Sequence, residues 1–460
     1  MSLSEYLSEY LFGPLYNRLH GIGEINHAVS DWERIYASPD DERRRLADDR
    51  LARLLETAYH ETAYFREVID QRGLAGRLDD PTVLSEFPLL DKPLIRQRPR
   101  DFVNHTLPDS QLIRTMTGGS TSDPLEFYRD RNAYCRRWGL QTVCNRRLGW
   151  EPGEWYGLVW GAPQDLWDMN SYKVRLVNYL VHRRIGLDAS GLTLETVREF
   201  FRQLWQKRPR IIYGYPVLLD FTIRLAREHG IEIPTAELVV VTAEKLTTHA
   251  LRTISETFQC PVIDRYASRE FGVVADQVAH TKYLRVAPAS LRLEIIPFSQ
   301  SDPQFGELVI TDLLNVGMPF IRYRTGDIAR LEEIEIDGRT DLVLSEISGR
   351  TTDLIIAPSG KVISGTAALP LFREYPGIDQ AQIHQLDYDH FRIFVVKGKL
   401  FTQETEDGMR AKMNEYCGEE VRVEFDYVET IPRDPSGKFR VVISHLAEEY
   451  LNSQMTPKAQ

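Results

Sequence analysis

An α/β core, preceded by a helical region and followed by a small α+β unit, is the fold class the sequence predicts. Three observations predict it. The first hundred or so residues carry apolar side chains at helical spacing, strand-like and helix-like segments alternate after Gln111, and the chain ends in period-two strand patterning. The length of 460 residues corresponds to roughly three average domains, or equally to two large units. A chain of this size can bury its core without disulfides or metals.

Leu51, Leu54, Leu55 and Ala58 share one helical face, with arginines and acids on the other. Val197, Phe200, Phe201, Leu204 and Trp205 form a second helical stripe. Ile211–Tyr213 then reads as a short strand, followed by a helix with Leu218, Phe221 and Leu225 on one face. Glu237–Thr242 (ELVVVT) is a continuous apolar run, as expected of a strand buried on both faces of a sheet. Another helix and the strand Pro261–Arg265 follow. Towards the end, Phe391–Val396 is strand-like and Thr402–Tyr416 helical. Val421, Val423, Phe425 and Tyr427 alternate with Arg422, Glu424 and Asp426, the pattern of a half-buried strand. The polar segment 332–341 places the domain junction just beyond it, at Gly349–Asp353.

Composition narrows the function. Hydrophobic residues at 42% and charged residues at 27% are those of a soluble globular protein. The 56 Lys+Arg against 67 Asp+Glu leave a net charge of −11, which speaks against binding nucleic acid or anionic lipid. No apolar run reaches the length of a membrane span, and the N-terminus carries glutamates where a signal peptide would be basic, so a cytoplasmic protein is expected. Cys135, Cys144, Cys260 and Cys417 form no C-x-x-C pair. They read as buried or free thiols rather than as a zinc site or a disulfide framework.

Five segments carry candidate chemistry. Thr115–Pro124 (TMTGGSTSDP) sets Thr117, Gly118, Gly119, Ser120 and Thr121 between two β-like runs, Gln111–Arg114 and Leu125–Tyr128. Small residues and successive N–H groups suit a phosphate, although this is not a Walker loop and also reads as a plain hairpin connection. Asp264–Gly272 (DRYASREFG) follows a buried strand, where open α/β sheets bind ligands. Tyr266 could stack on a base and Glu270 could hold Mg²⁺; a helix start capped by Ser268 is the plainer alternative. Arg322–Asp327 (RYRTGD) reads as a turn whose aspartate could accept from a vicinal diol. Gly349–Asp353 (GRTTD) offers the donor fork of Arg350, with Asp353 where a hinge would lie. Pro432–Arg440 (PRDPSGKFR) presents Lys438 on a constrained loop, an ammonium that could stabilise developing phosphate charge.

In this order, the five segments resemble the adenylate-forming superfamily of acyl-CoA synthetases, adenylation domains and luciferases. The finer texture, with Tyr213–Pro216 (YGYP) and Thr242–Leu246 (TAEKL), is similar to its phenylacetate–CoA ligase-like, capsular-polysaccharide (CapK-like) branch. The resemblance spans nearly the whole chain. It implies a large N-terminal adenylation domain over 1–349, a hinge at 350–353 and a small mobile α+β domain over 354–460. By the resemblance, Thr117–Thr121 wrap the ATP phosphates. Ala243, Glu244, Asp264, Tyr266 and Ser268 lie about the nucleotide, and Glu270 binds Mg²⁺. Asp327 takes the ribose hydroxyls with help from Arg350. Asp353 is the pivot, and Lys438 acts in the first half-reaction. The implied activity is ATP- and Mg-dependent activation of a small-molecule carboxylate, followed by transfer to a thiol, with coenzyme A as co-substrate. Transfer to an amine, transfer of AMP and a non-catalytic nucleotide-binding scaffold are the alternatives. Relatives are often dimers, so a homodimer is one assembly to expect.

The sequence also departs from the family pattern. Ser122 and Ala267 stand where glycines are usual, and Phe271–His280 lacks the cysteine/histidine cluster of some relatives, so no zinc is expected. For the acyl pocket, Trp160, Gly161, Ala162, Trp167, Tyr213, Gly214 and Tyr215 are candidate wall residues, with the aromatic ones equally readable as core.

Overall fold

The computed structural model describes residues 2–117, 125–161, 172–188, 192–336, 338–350, 354–360, 362–364, 377–432, 440–444 and 446. The chain divides into two compact units. The first comprises 1–293, 310–323 and 333–344, and the second 294–309, 324–332 and 345–460.

A hairpin of the first unit pairs β1 (Leu112–Met116) antiparallel with β2 (Glu126–Asp130). Then come β3 (Tyr156–Trp160), β4 (Arg184–Asp188), β5 (Ile211–Gly214), β6 (Leu238–Thr242) and β7 (Val262–Ser268). These five run parallel in the order β7-β6-β5-β3-β4. On the far side of β7, β8 (Gly272–Gln277) and β9 (Leu284–Val286) continue the sheet antiparallel. All of β6 is buried, as its unbroken apolar run requires.

Helices cover both faces of this sheet. On one side, Leu194–Lys207, Pro216–Glu228 and Thr248–Phe258 press Phe200, Phe201, Leu204, Leu219, Ile223, Ile254 and Phe258 against Val159, Ile212, Val239 and Val241. On the other, Ile25–Ala37 and Arg131–Arg147 join Trp32, Ile35, Leu140 and Val143 to Val273 and Ala287. The helical N-terminal region is observed, and Leu51, Leu54, Leu55 and Ala58 form the buried face of helix Asp40–Glu61. The segment around Leu90 is stitched to a much later one. Leu90 N–H donates to Arg322 O at 2.9 Å, while Arg322 Nη1 reaches the carbonyls of Ser85 and Phe87 at 2.8 and 2.7 Å.

The strands β10 (Leu291–Pro297), β11 (Phe305–Asp312), β12 (Tyr323–Ile336) and β13 (Arg339–Arg350) lie in that order; of these, 294–309, 324–332 and 345–350 fall in the second unit. A short hairpin follows, β14 (Leu354–Ile356) with β15 (Val362–Ser364). Its last sheet contains β16 (Ile378–Asp387), β17 (His390–Lys397), β18 (Arg422–Tyr427) and β19 (Val442–Ser444), ordered β18-β17-β16-β19. Helix Gln403–Cys417 packs Met409 and Met413 on Ile383, Phe391, Ile393 and Val395. Gln385 ties three of these segments together. It exchanges hydrogen bonds with the Ile356 N–H and C=O at 3.0 and 2.6 Å and accepts from Ser444 Oγ at 2.9 Å.

Four details depart from the sequence reading. Arg322–Asp327 is not a turn. Tyr323–Asp327 opens the long strand β12, with Gly326 at φ 74° kinking it from within. The polar segment does not read as strand, yet 332–336 belong to β12 and 339–341 to β13. Helix Pro216–Glu228 buries Leu218, Leu219, Thr222, Ile223 and Ala226 and leaves Phe221 at 43% exposure. The inward stripe includes Thr222, whose hydroxyl is satisfied by Leu218 O at 2.7 Å and so packs as an apolar group would. Trp205 likewise sits outside its stripe, at the rim, donating to Glu232 O at 3.4 Å.

The contact between helices Ile25–Ala37 and Arg131–Arg147 depends on Gly139. A Cβ there would lie 2.7 Å from Ala28 Cβ and 2.9 Å from the Ala28 carbonyl carbon. Alanine would gain about 1 kcal/mol of helix propensity, whereas overpacking against backbone costs about 1–3 kcal/mol. Gly139→Ala is therefore expected to lower the midpoint of thermal unfolding; a midpoint above wild type would show that the helices can part freely.

Candidate active site

Parallel pairing brings four of the predicted segments to one end of the first unit's sheet. Registers Val159↔Gly214, Gly214↔Val241 and Val241↔Asp264 align the strands so that Trp160–Gly161, Tyr213–Tyr215, Thr242–Glu244 and Asp264–Ser268 all lie at their carboxyl ends. Side chains alternate along each strand, which sorts these residues between the two faces. Tyr215 belongs to the face of helix Pro216–Glu228. Its ring centroid lies 4.5 Å from that of Trp160, tilted by 58°. Tyr213 points to the opposite face, where its hydroxyl donates to Asn145 Oδ1 at 2.6 Å. Of the candidate wall residues, Trp160 and Tyr215 thus form one aromatic pair, and Tyr213 is held in a buried polar network. Gly161 and Gly214 admit that helix closely, since a Cβ would stand 2.7 Å from Leu218 Cδ1 and from Leu219 Cγ respectively.

The end of β6 stores strain. Ala243 has φ 70°, the left-handed region that costs a non-glycine residue roughly 1–3 kcal/mol. Beside it, Thr242 Oγ1 is buried with no hydrogen-bond partner among the described residues. A buried hydroxyl of this kind costs about 1–3 kcal/mol unless something satisfies it, so the strand end is shaped for more than packing.

The hairpin of β7 and β8 is pinned by Arg265. Its guanidinium grips Asp276 twice, at 2.5 and 2.9 Å, and donates to Asn145 Oδ1 at 2.9 Å. Because neighbours alternate, Asp264 and Tyr266 face the other way. Burial pushes the Asp264 carboxyl up to about 6, with a backbone hydrogen bond opposing and the Asp276 charge adding to the rise. The turn between the strands is not a capped helix; Ser268 Oγ accepts the Phe271 N–H at 3.2 Å.

Glu270 rides on this turn with its side chain 11% exposed. Its Oε1 accepts from Tyr323 OH at 3.2 Å and lies 3.9 Å from Lys92 Nζ. Arg129 sits in the same neighbourhood, and burial pulls its guanidinium down to about 10. The turn is also tied to the base of the Gly/Ser/Thr segment, since Arg269 Nη1 donates to Met116 O at 3.1 Å. Thr117 closes that base: its N–H reaches Leu125 O at 2.8 Å and its Oγ1 accepts the Leu125 N–H at 2.8 Å. Gly118, Gly119, Ser120 and Thr121 lie outside the described residues, as do Ala162, Trp167, Asp353 and Lys438. Sequence reasoning missed Lys92, Arg129, Arg269 and Thr242. Lys92 opens a short helix capped by Asp91, with no motif around it to single it out.

A second predicted pair meets in the other unit. Arg350 Nε lies 3.6 Å from Asp327 Oδ1. The Asp327 N–H donates to Thr325 Oγ1 at 3.0 Å, and that hydroxyl donates to Leu308 O at 2.8 Å. The Thr-Gly-Asp kink thus fixes the aspartate beside a planar donor, a pairing able to accept from and donate to neighbouring hydroxyls. Glu270 is a single carboxylate, and among the described residues no group of three or more metal-ligating side chains occurs. One carboxylate plus phosphate oxygens is a common Mg²⁺ environment, so Glu270 fits a metal that arrives with a nucleotide rather than a resident one.

A carboxyl held above its ordinary value binds its proton more tightly in the fold than in the unfolded chain. Ionised Asp264 therefore opposes folding, a penalty that is absent below 3.8 and complete above about 6. Asp264→Asn is expected to stabilise the protein by about 1–3 kcal/mol near pH 7.5 and to have little effect near pH 4. Thermal unfolding at both pH values checks this, and an equal shift at the two would show that Asp264 is not held protonated by burial.

Residues 355–445 match the CapK C-terminal domain family. Protein CapK of Staphylococcus aureus is 21% identical over 397 residues, covering 83% of this chain and 85% of that protein. The phenylacetate–coenzyme A ligase of Thermus thermophilus is 24% identical over 338 residues, covering 69% and 72%. Among solved structures, 2-hydroxyisobutyryl-CoA ligase in its postadenylation state in complex with R3-HIB-AMP is similar at a TM-score of 0.66 and 18% identity, covering 91% of this chain and 93% of that one. The fatty acyl-adenylate ligases from E. coli and L. pneumophila follow at 0.51 and 14%, covering 76% and 73%. With its mixed α/β core and separate C-terminal domain, this chain has the fold of the adenylate-forming acyl-CoA ligase superfamily and ends in a domain of the CapK type.

Proposed function

We propose that the protein is a ligase that activates a small-molecule carboxylate as its acyl-adenylate and then passes the acyl group to the thiol of coenzyme A. The observation that carries this reading is the convergence of Trp160, Tyr215, Thr242–Glu244 and Asp264–Ser268 at the carboxyl ends of the parallel strands, with Glu270 on the adjoining turn. In the first step a substrate carboxylate oxygen attacks the α-phosphorus of Mg·ATP. A C–O–P linkage forms, the bond to the β-phosphate breaks, and pyrophosphate leaves. Two anions must approach each other, so cations decide the rate. Glu270 orients the metal that accompanies ATP, and Lys92 beside it adds positive charge. Lys438 offsets charge developing on the phosphates. Thr117–Thr121 hold the phosphates, while Ala243, Glu244, Asp264, Tyr266 and Ser268 surround the base. Asp327 and Arg350 hold the ribose. In the second step the thiol sulfur attacks the acyl carbon, AMP leaves and the thiol proton passes to solvent. Asp353 is the pivot of the C-terminal domain 354–460, which withdraws Lys438 between the steps.

In a second reading an amine replaces the thiol as acceptor. The chemistry of the first step is then unchanged.

Carboxylate-dependent ATP–pyrophosphate exchange, run over aryl, fatty, hydroxy and amino acids without coenzyme A, tests the first step alone. Exchange with one acid class is expected. Glu270→Gln should lower it about 10²–10³-fold, the scale of losing one electrostatic stabiliser. Lys438→Ala should lower adenylation similarly while leaving thioester formation from presynthesised acyl-adenylate within about threefold of wild type. Undiminished exchange in Lys438→Ala would remove that residue from the mechanism. Product analysis with coenzyme A against a panel of amines then separates the acceptors.

A further inference from the structure

Away from the strand ends, two adjoining cavities open where helices Ile25–Ala37 and Arg131–Arg147 meet the start of β13. Their volumes are about 430 and 260 Å³, and Tyr36, Arg147 and Arg339 line both. Counting Arg43, Arg146 and Arg285, five arginines face this cleft against two carboxylates, Glu33 and Asp341. Some of these arginines are also held from outside the lining, Arg146 by Glu151 at 2.8 Å and Glu9 at 3.9 Å, and Arg43 by Asp40. Both lining carboxylates are already engaged. Glu33 pairs with Arg146 at 2.7 Å, and Asp341 bridges Arg285 at 2.8 Å and Arg43 at 3.3 Å. Arg147 and Arg339 have no carboxylate at ion-pair distance among the described residues. Instead, Arg147 lies over the Tyr36 ring at 4.8 Å, and Arg339 Nη1 donates to Tyr36 O at 3.1 Å. Tyr36 thereby contacts two guanidinium groups of the cleft, one through its ring and one through its carbonyl.

We propose that this cleft binds a phosphate-bearing small molecule, with one phosphate group between Arg147 and Arg339. A guanidinium stacked on an aromatic ring has its plane fixed and its N–H edges free, the arrangement that meets phosphate oxygens in pairs. A phosphomonoester carries close to two negative charges, matching the two guanidinium groups, Arg147 and Arg339, that have no carboxylate at ion-pair distance among the described residues. The site is separate from the strand-end residues assigned to adenylation, so the proposal does not rest on that assignment.

Isothermal titration of the full-length protein with inorganic phosphate and with adenosine 3′,5′-bisphosphate tests it. At least one probe is expected to bind, more weakly as salt rises. The Arg147→Gln/Arg339→Gln double variant should weaken binding at least about tenfold, roughly the value of one charge-assisted hydrogen bond. Arg147→Lys should fall between, keeping the charge without the fork, and Arg202→Gln, on an exposed helix surface, should match wild type. Binding of both probes means that phosphate alone suffices; binding of the bisphosphate only means that the site reads the ester. Absence of binding by either probe up to about 10 mM, or equal affinity in a double variant whose thermal unfolding matches wild type, overturns the proposal.

Discussion

The buried grip of Arg265 on Asp276 is the interaction from which the candidate site takes its geometry. The two residues are directly opposed across β7 and β8, so their paired hydrogen bonds fix that hairpin's register. A slip by one residue would exchange the faces of Asp264, Arg265 and Tyr266 together. The third contact, to Asn145, binds the hairpin to helix Arg131–Arg147, and Asn145 in turn holds the hydroxyl of Tyr213 on β5. One guanidinium therefore aligns two strands and a helix, and the turn that carries Glu270 inherits its position from that alignment. Removing either partner would leave a buried charge uncompensated, which is costlier than never having had the pair.

Around this frame the protein tolerates several unfavourable local arrangements. Ala243 holds a left-handed backbone, Thr242 keeps a buried hydroxyl without a partner, and Asp264 keeps a carboxyl where ionisation is opposed. All three lie at neighbouring strand ends, while the interior of the sheet is apolar and well packed. Cost concentrated at one edge of a regular core is what a binding site looks like in energetic terms.

The core was legible because periodicity reports directly on burial. The unbroken apolar run of β6 and the stripe of Val197, Phe200, Phe201 and Leu204 needed no further context. Register brings Trp160–Gly161, Tyr213–Tyr215, Thr242–Glu244 and Asp264–Ser268 to one end because each ends a strand of one parallel sheet. What stayed hidden was set by tertiary neighbours. A Thr-Gly-Asp triplet has the same local chemistry in a turn as in a kink of a long strand, so Tyr323–Asp327 was misread. In 332–341 the alternation of Glu333, Ile334, Glu335 and Ile336 is short and set among charged residues, so the segment reads as polar rather than as strand. Lys92 has no local signal, because its importance comes only from Glu270, far away in the chain.

The stitch between Leu90 and Arg322 has a consequence for biosynthesis. Arg322 contacts the carbonyls of Ser85 and Phe87 across sequence separations of 237 and 235 residues. At about 5–20 residues per second, a ribosome needs about 12–47 seconds to make that stretch. Until then the segment holding Lys92 has no seat, and the first unit, which takes in residues as late as 344, stays incomplete. The nascent chain therefore carries the segment around Leu90 without its partner until residue 322 has been made.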